Sequence, residues 1–77
     1  MARLRATVEQ RENRRFIHFV EDCLKDHNKR QEDVANYLDM SKQAFNRRMN
    51  EHTPWTLTDM YKVCEYFGET YVLGEQR

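Results

Sequence analysis

Between Ser41 and Asn50 the chain sets Lys42, Gln43, Asn46, Arg47 and Arg48, with no acidic residue among them. Each of these side-chain types can read or hold nucleic acid. Lys and Arg donate to guanine O6 and N7, while Gln and Asn pair with adenine N6 and N7. A helix lying in the major groove presents its N-terminal residues to base edges, which suits Lys42, Gln43, Asn46 and Arg47. Arg48 and Asn50, at the far end, suit phosphate oxygens, contacts that set register without reading sequence. The alternative for such a cluster is a solvated helix face, so its weight rests on the elements that position it.

Other residues tempt different chemistry. His18, Cys23 and His27 lie on one stretch of apolar periodicity, and Cys23 and His27 are spaced to share a face. A zinc site needs three or four ligands with outer support. His52 and Cys64 have no evident place in such a set, so no metal is expected. Cys–His nucleophilic catalysis would need a pocket and an oxyanion donor that a core this small does not imply. Neither cysteine belongs to a CxxC pair, and both read as buried thiols in a reducing compartment. The chain is therefore read as a non-enzyme with no cofactor and no small-molecule substrate.

The elements that must hold the cluster follow from periodicity. Phe16, Ile17, Val20, Cys23, Leu24 and His27 recur at three- and four-residue spacing, which predicts a helix from near Thr7 or Glu9 to near His27. Asn28, with Gln31 three residues on, predicts a capped start for a short second helix that buries Val34, Ala35 and Leu38. Asp39 interrupts it. Ser41 is an N-cap type for a third helix with Phe45 and Met49 on its apolar face. His52-Thr53-Pro54-Trp55 reads as a loop, and Trp55 as a packing anchor ahead of a DNA contact. Thr56 with Asp59 predicts a capping box, followed by an apolar stripe of Leu57, Met60, Tyr61, Cys64 and Phe67. Tyr61, Tyr66 and Tyr71 read as core-edge residues. Gly68 stands where a helix end wants positive φ. Beyond it, residues 70–73 (Thr70-Tyr71-Val72-Leu73) are β-prone and predict a short strand.

The architecture expected is all-α for the most part, four to five helices with a short C-terminal β-strand, in a single domain spanning 1–77. Within it, residues 1–8 form an arm, 28–50 the helix-turn-helix core and 69–77 a strand or tail. With 77 residues, two Gly and one Pro, there is room for one small helical core. No apolar run is long enough to span a membrane and the start lacks an apolar signal region, so the expected location is the cytoplasm.

The 13 basic and 13 acidic residues cancel only as a sum. Residues 1–15 carry five Arg against two Glu, and 41–50 carry three bases and no acid. Residues 16–40 and 51–77 are acidic in balance. Steering of an anionic partner depends on local potential, confined by salt to about 8 Å. A non-specific architectural DNA protein would carry a large positive charge, which this chain lacks.

Two short helices joined by a three- or four-residue turn form the helix-turn-helix unit. Gln31, Val34-Ala35, Leu38, Asp39 and Met40-Ser41, continued by Leu57, Met60, Val63-Cys64 and Phe67-Gly68, resemble the Cro/repressor-type helix-turn-helix family (XRE-like, lambda-repressor-like). The resemblance spans about half the chain. It departs at Asp39, where Gly is usual, and Asp tolerates the left-handed conformation better than most residues. The first helix is also longer and richer in Arg at its start than the family needs.

The resemblance implies a lambda-repressor-like fold and sequence-specific binding of double-stranded DNA. Lys42, Gln43, Asn46 and Arg47 would read bases, and Gln31 and Ser41 would join Arg48 and Asn50 on phosphates. Arg3 and Arg5 would either embrace DNA as an arm or form a solvated helix start. A lone strand leaves an unpaired edge. Pairing through Tyr71, Val72 and Leu73 with a second copy would solve that, as in some members of the family, and a disordered tail is the alternative. The expected role is a transcriptional repressor that acts as a homodimer on a palindromic operator, with half-sites roughly 34 Å apart. With no room for an effector domain, repression would be steric. The competing expectation is an antitoxin-like module that binds a toxin or regulator through its acidic blocks.

Overall fold

The computed structural model describes residues 8–71. They form four helices: α1 (Val8–Asp26), α2 (Gln31–Tyr37), α3 (Lys42–Met49) and α4 (Leu57–Phe67). The chain is thus mostly helical, as its composition and periodicity predict. α2 packs on α3, and α4 lies against both α1 and α2.

One closing device ends every helix. A residue in the left-handed region follows the last turn: Asn28 at φ 55°, Asp39 at 59°, Glu51 at 67° and Gly68 at 68°. The next amide then reaches back five residues, as in Lys29 N to Leu24 O (2.9 Å), Met40 N to Ala35 O (3.0 Å), His52 N to Arg47 O (2.8 Å) and Glu69 N to Cys64 O (3.1 Å). This is the Schellman closure, which satisfies carbonyls that the helix end leaves open. The expectation at Asp39 and Gly68 holds.

At Asn28 the structure corrects the sequence reading. An N-cap needs extended backbone, and Asn28 is spent in the left-handed turn that ends α1. Arg30 takes the cap instead, at φ −103° and ψ 159°. Its amide donates to Asp33 Oδ2 at 3.1 Å, the carboxylate half of a capping box. Ser41 caps α3 as expected, its Oγ accepting from Ala44 N at 3.0 Å. Thr56 caps α4, accepting from Asp59 N at 3.1 Å.

Phe16, Val20, Val34, Phe45 and Val63 are the large residues fully removed from water. Trp55 packs edge-on against Phe16 (5.0 Å between ring centres) and Phe45 (5.7 Å), so the loop after α3 is nailed to the core. Its amide donates to Asn13 Oδ1 of α1 at 2.9 Å. On α4 the buried line is Met60, Val63 and Phe67. Leu57 and Tyr61, expected in that stripe, are 53% and 67% exposed. The buried arc is centred between Met60 and Val63, and the 100° step per residue carries Tyr61 off it. His27, placed on the apolar face of α1, is exposed. Its ring rests on Phe67 and its Nε2 lies 3.0 Å from Glu69 Oε2.

The chain after α4 turns back onto α1. The Tyr71 ring stacks edge-on against Phe16 (4.9 Å) and lies 5.0 Å from Phe19, with the Arg15 guanidinium over it at 4.9 Å. Among the described residues there is no strand. Thr70 and Tyr71 are irregular, and Val72 and Leu73 lie outside the described residues, as do Arg3 and Arg5 and most of the expected 1–8 arm. No described helix is long and apolar enough to cross a membrane.

Candidate nucleic-acid interface

α3 has two sides with different tasks. Phe45 and Met49 point into the core. Lys42, Gln43, Asn46 and Arg47 face outward together and line one open depression of about 420 Å³. The geometry follows from spacing, since Lys42 and Asn46, like Gln43 and Arg47, are four residues apart and stack along one face. All four base-reading candidates are therefore brought to one surface.

The charge on that surface is uncompensated. α3 has no acid in its first turn, and of the two Arg in its last turn Arg47 lies on this face. Among the described residues neither Lys42 nor Arg47 has an ion-pair partner. Two arginines of α1 are paired instead: Arg14 Nε with Glu51 Oε1 at 3.0 Å, and Arg15 Nη2 with Glu12 Oε1 at 3.0 Å.

The phosphate candidates divide. Arg48 is turned away from the open face. Its Nε lies 3.3 Å from Asp59 Oδ2, and the two side chains are only 18% and 15% exposed. Its Nη1 donates to Ala44 O at 3.3 Å. The Nε–H is not aimed along a hydrogen bond, so the contact is an ion pair that ties α3 to α4. It also explains why Asp59 does not complete the predicted box with Thr56: its carboxylate is engaged across the helix interface. Asn50 is exposed on the same side as the readers, and its Nδ2 donates to Asn46 Oδ1 at 2.8 Å. Ser41 Oγ accepts within the cap, leaving its O–H as a donor. Gln31 is the first residue of α2 and half-buried.

Sequence reasoning missed the Arg48–Asp59 pair and the Asn50–Asn46 bond. The second was legible as a four-residue spacing of hydrogen-bonding types on a helix. The first spans a loop and needed the tertiary approach of Arg48 to Asp59.

The cysteines do not form a reactive site. Burial and nearby carboxylates push the Cys23 thiol up from 9.0 to about 11. Burial raises Cys64 as well, against a hydrogen bond from the Tyr71 backbone. Both thiols stay protonated at neutral pH, and a protonated thiol is a poor nucleophile and ligand. Among the described residues no group of three or more His, Cys, Asp or Glu converges as a metal site would require.

Comparison with known proteins returned no match: no family model, curated protein or solved structure is significantly similar to this chain.

Proposed function

We propose that the chain is a sequence-specific double-stranded DNA-binding protein of the Cro/repressor type, a small transcriptional repressor that acts as a homodimer on a palindromic operator. One observation carries this reading. The second helix of a helix-turn-helix pair presents Lys42, Gln43, Asn46 and Arg47 on one open face, with no acid in the helix itself. Two short helices joined through a left-handed Asp39 support this reading, since a helix-turn-helix places its second helix in the major groove. Because the chain as a whole is neutral, with 13 basic and 13 acidic residues, affinity should come from specific contacts more than from bulk attraction.

Gln43→Ala and Arg47→Ala should each cost about 1–3 kcal/mol on the preferred site and relax specificity at one position. The measurement is selection from random DNA followed by titration of preferred and random duplexes. Equal losses on both duplexes would refute base reading by these residues.

A second reading, a module that binds a toxin or another regulator, is favoured by the exposure of Leu57 and Tyr61 one turn apart on α4. Capture of a defined protein partner by the wild type but not by Tyr61→Ala, with no selected DNA motif, would support it over the first.

A further inference from the structure

The Asn50–Asn46 hydrogen bond has a consequence for what the α3 face can read. A side-chain carboxamide has an acceptor end and a donor end. Left free, it offers either end to a base edge. Asn46 is not left free, because its Oδ1 accepts from Asn50 Nδ2 at 2.8 Å. The planar group then directs Nδ2, with its two N–H bonds, to the other side. Gln43, one turn earlier, has no such partner among the described residues.

Asn50 is well placed to hold this orientation. Its own backbone amide donates to Asn46 O at 3.0 Å, so the two residues sit in fixed register on successive turns. It is followed by Glu51 in the left-handed closure, and Glu51 is tied to α1 through Arg14 at 3.0 Å.

Resting on the DNA-binding reading above, we propose that Asn50 is a positioning residue that fixes the carboxamide of Asn46 with its donor end toward the groove, committing Asn46 to a base edge that presents an acceptor, such as guanine N7 or O6. Guanine presents acceptors at N7 and O6, whereas cytosine presents only the N4 donor. The contrast between guanine and cytosine is therefore the diagnostic one. Adenine carries both an acceptor and a donor and discriminates less. A hydrogen bond of ordinary net worth biases the two orientations roughly 2- to 10-fold.

Selection from random DNA with the full chain tests this, using the wild type, Asn46→Ala, Asn50→Ala and Asn50→Asp. The position read by Asn46 is the one whose preference disappears in Asn46→Ala. There, Asn50→Ala should reduce the guanine-to-cytosine ratio by roughly 2- to 10-fold, the bias it removes. Asn50→Asp can only accept, so Asn46 must turn Nδ2 toward it and offer Oδ1 to the base, shifting preference toward cytosine. An unchanged ratio in both variants, with affinity lowered evenly and a shallower salt dependence, would make Asn50 a phosphate contact and overturn the proposal. In the free protein, the Asn50 side-chain amide resonances should move in Asn46→Ala; if they do not, the hydrogen bond itself is refuted. A wild type that selects no motif overturns the DNA-binding reading, and this proposal with it, whatever the resonances show. Circular dichroism of each variant distinguishes these outcomes from loss of α3.

Discussion

α3 and α4 are built alike and finished differently. Each starts on a hydroxyl cap, Ser41 or Thr56, and each ends in a left-handed residue, Glu51 or Gly68. Each buries one face in the same core. Outward, α3 shows Lys42, Gln43, Asn46 and Arg47, while α4 shows Leu57, Tyr61, Lys62 and Glu65. The one carboxylate in the first turn of α4, Asp59, is turned inward to hold Arg48. The same local devices thus yield a basic hydrogen-bonding face on one helix and a mixed, partly apolar face on the other. Capping and closure decide that a helix forms, and the residues off the buried arc decide what it can meet.

The largest test of this comparison is at the shared core. Phe45 is fully buried beneath α3 and touches Trp55. Phe45→Ala should cost about 3–5 kcal/mol in denaturant unfolding, enough to unfold much of a domain this small. A loss below 1 kcal/mol would mean that α3 is held from outside the core.

Asp59→Ala comes next, at about 1–3 kcal/mol, because it leaves a largely buried guanidinium without its partner. Glu51→Ala removes a pair that is about half exposed on both sides, and should cost under about 1 kcal/mol. Equal losses would erase the distinction drawn between the two Arg pairs.

Asp39→Gly should stabilise by up to about 1 kcal/mol, since Gly accepts φ 59° without a Cβ penalty. Thermal melting checks the sign. The same change should leave DNA selection intact if the turn only sets the α2–α3 angle.

The smallest effect at neutral pH is at Cys23. Its native pKa of about 11 lies above the ordinary 9.0, so the folded state keeps the proton longer than the unfolded chain. Stability attributable to this group is complete below pH 9.0 and is lost as pH rises toward about 11. Denaturation of the wild type and Cys23→Ala across that window should diverge in slope, and the native thiol should resist alkylation at pH 7.

Much of the fold was legible because its signals are local. Ser41 and Thr56 could be read as caps, Asp39 and Gly68 as turn residues, and Val34, Ala35, Leu38, Phe45 and Met49 as buried positions. Asn28 misled because Asn serves two local roles, N-cap and left-handed closure, and the sequence does not rank them. Leu57 and Tyr61 misled because an apolar residue beside a stripe need not be covered by a neighbouring helix.

The same division applies to the candidate interface. The sequence by itself determined the composition of the α3 face, its freedom from acid, and the helical period that gathers Lys42, Gln43, Asn46 and Arg47. Those properties depend only on residue type and the 3.6-residue turn. Tertiary structure alone decided that Arg48 faces Asp59 and not the open surface, and that Tyr71 stacks on Phe16 and Phe19. Each involves partners distant in sequence, and their approach is set by core packing that no local pattern encodes.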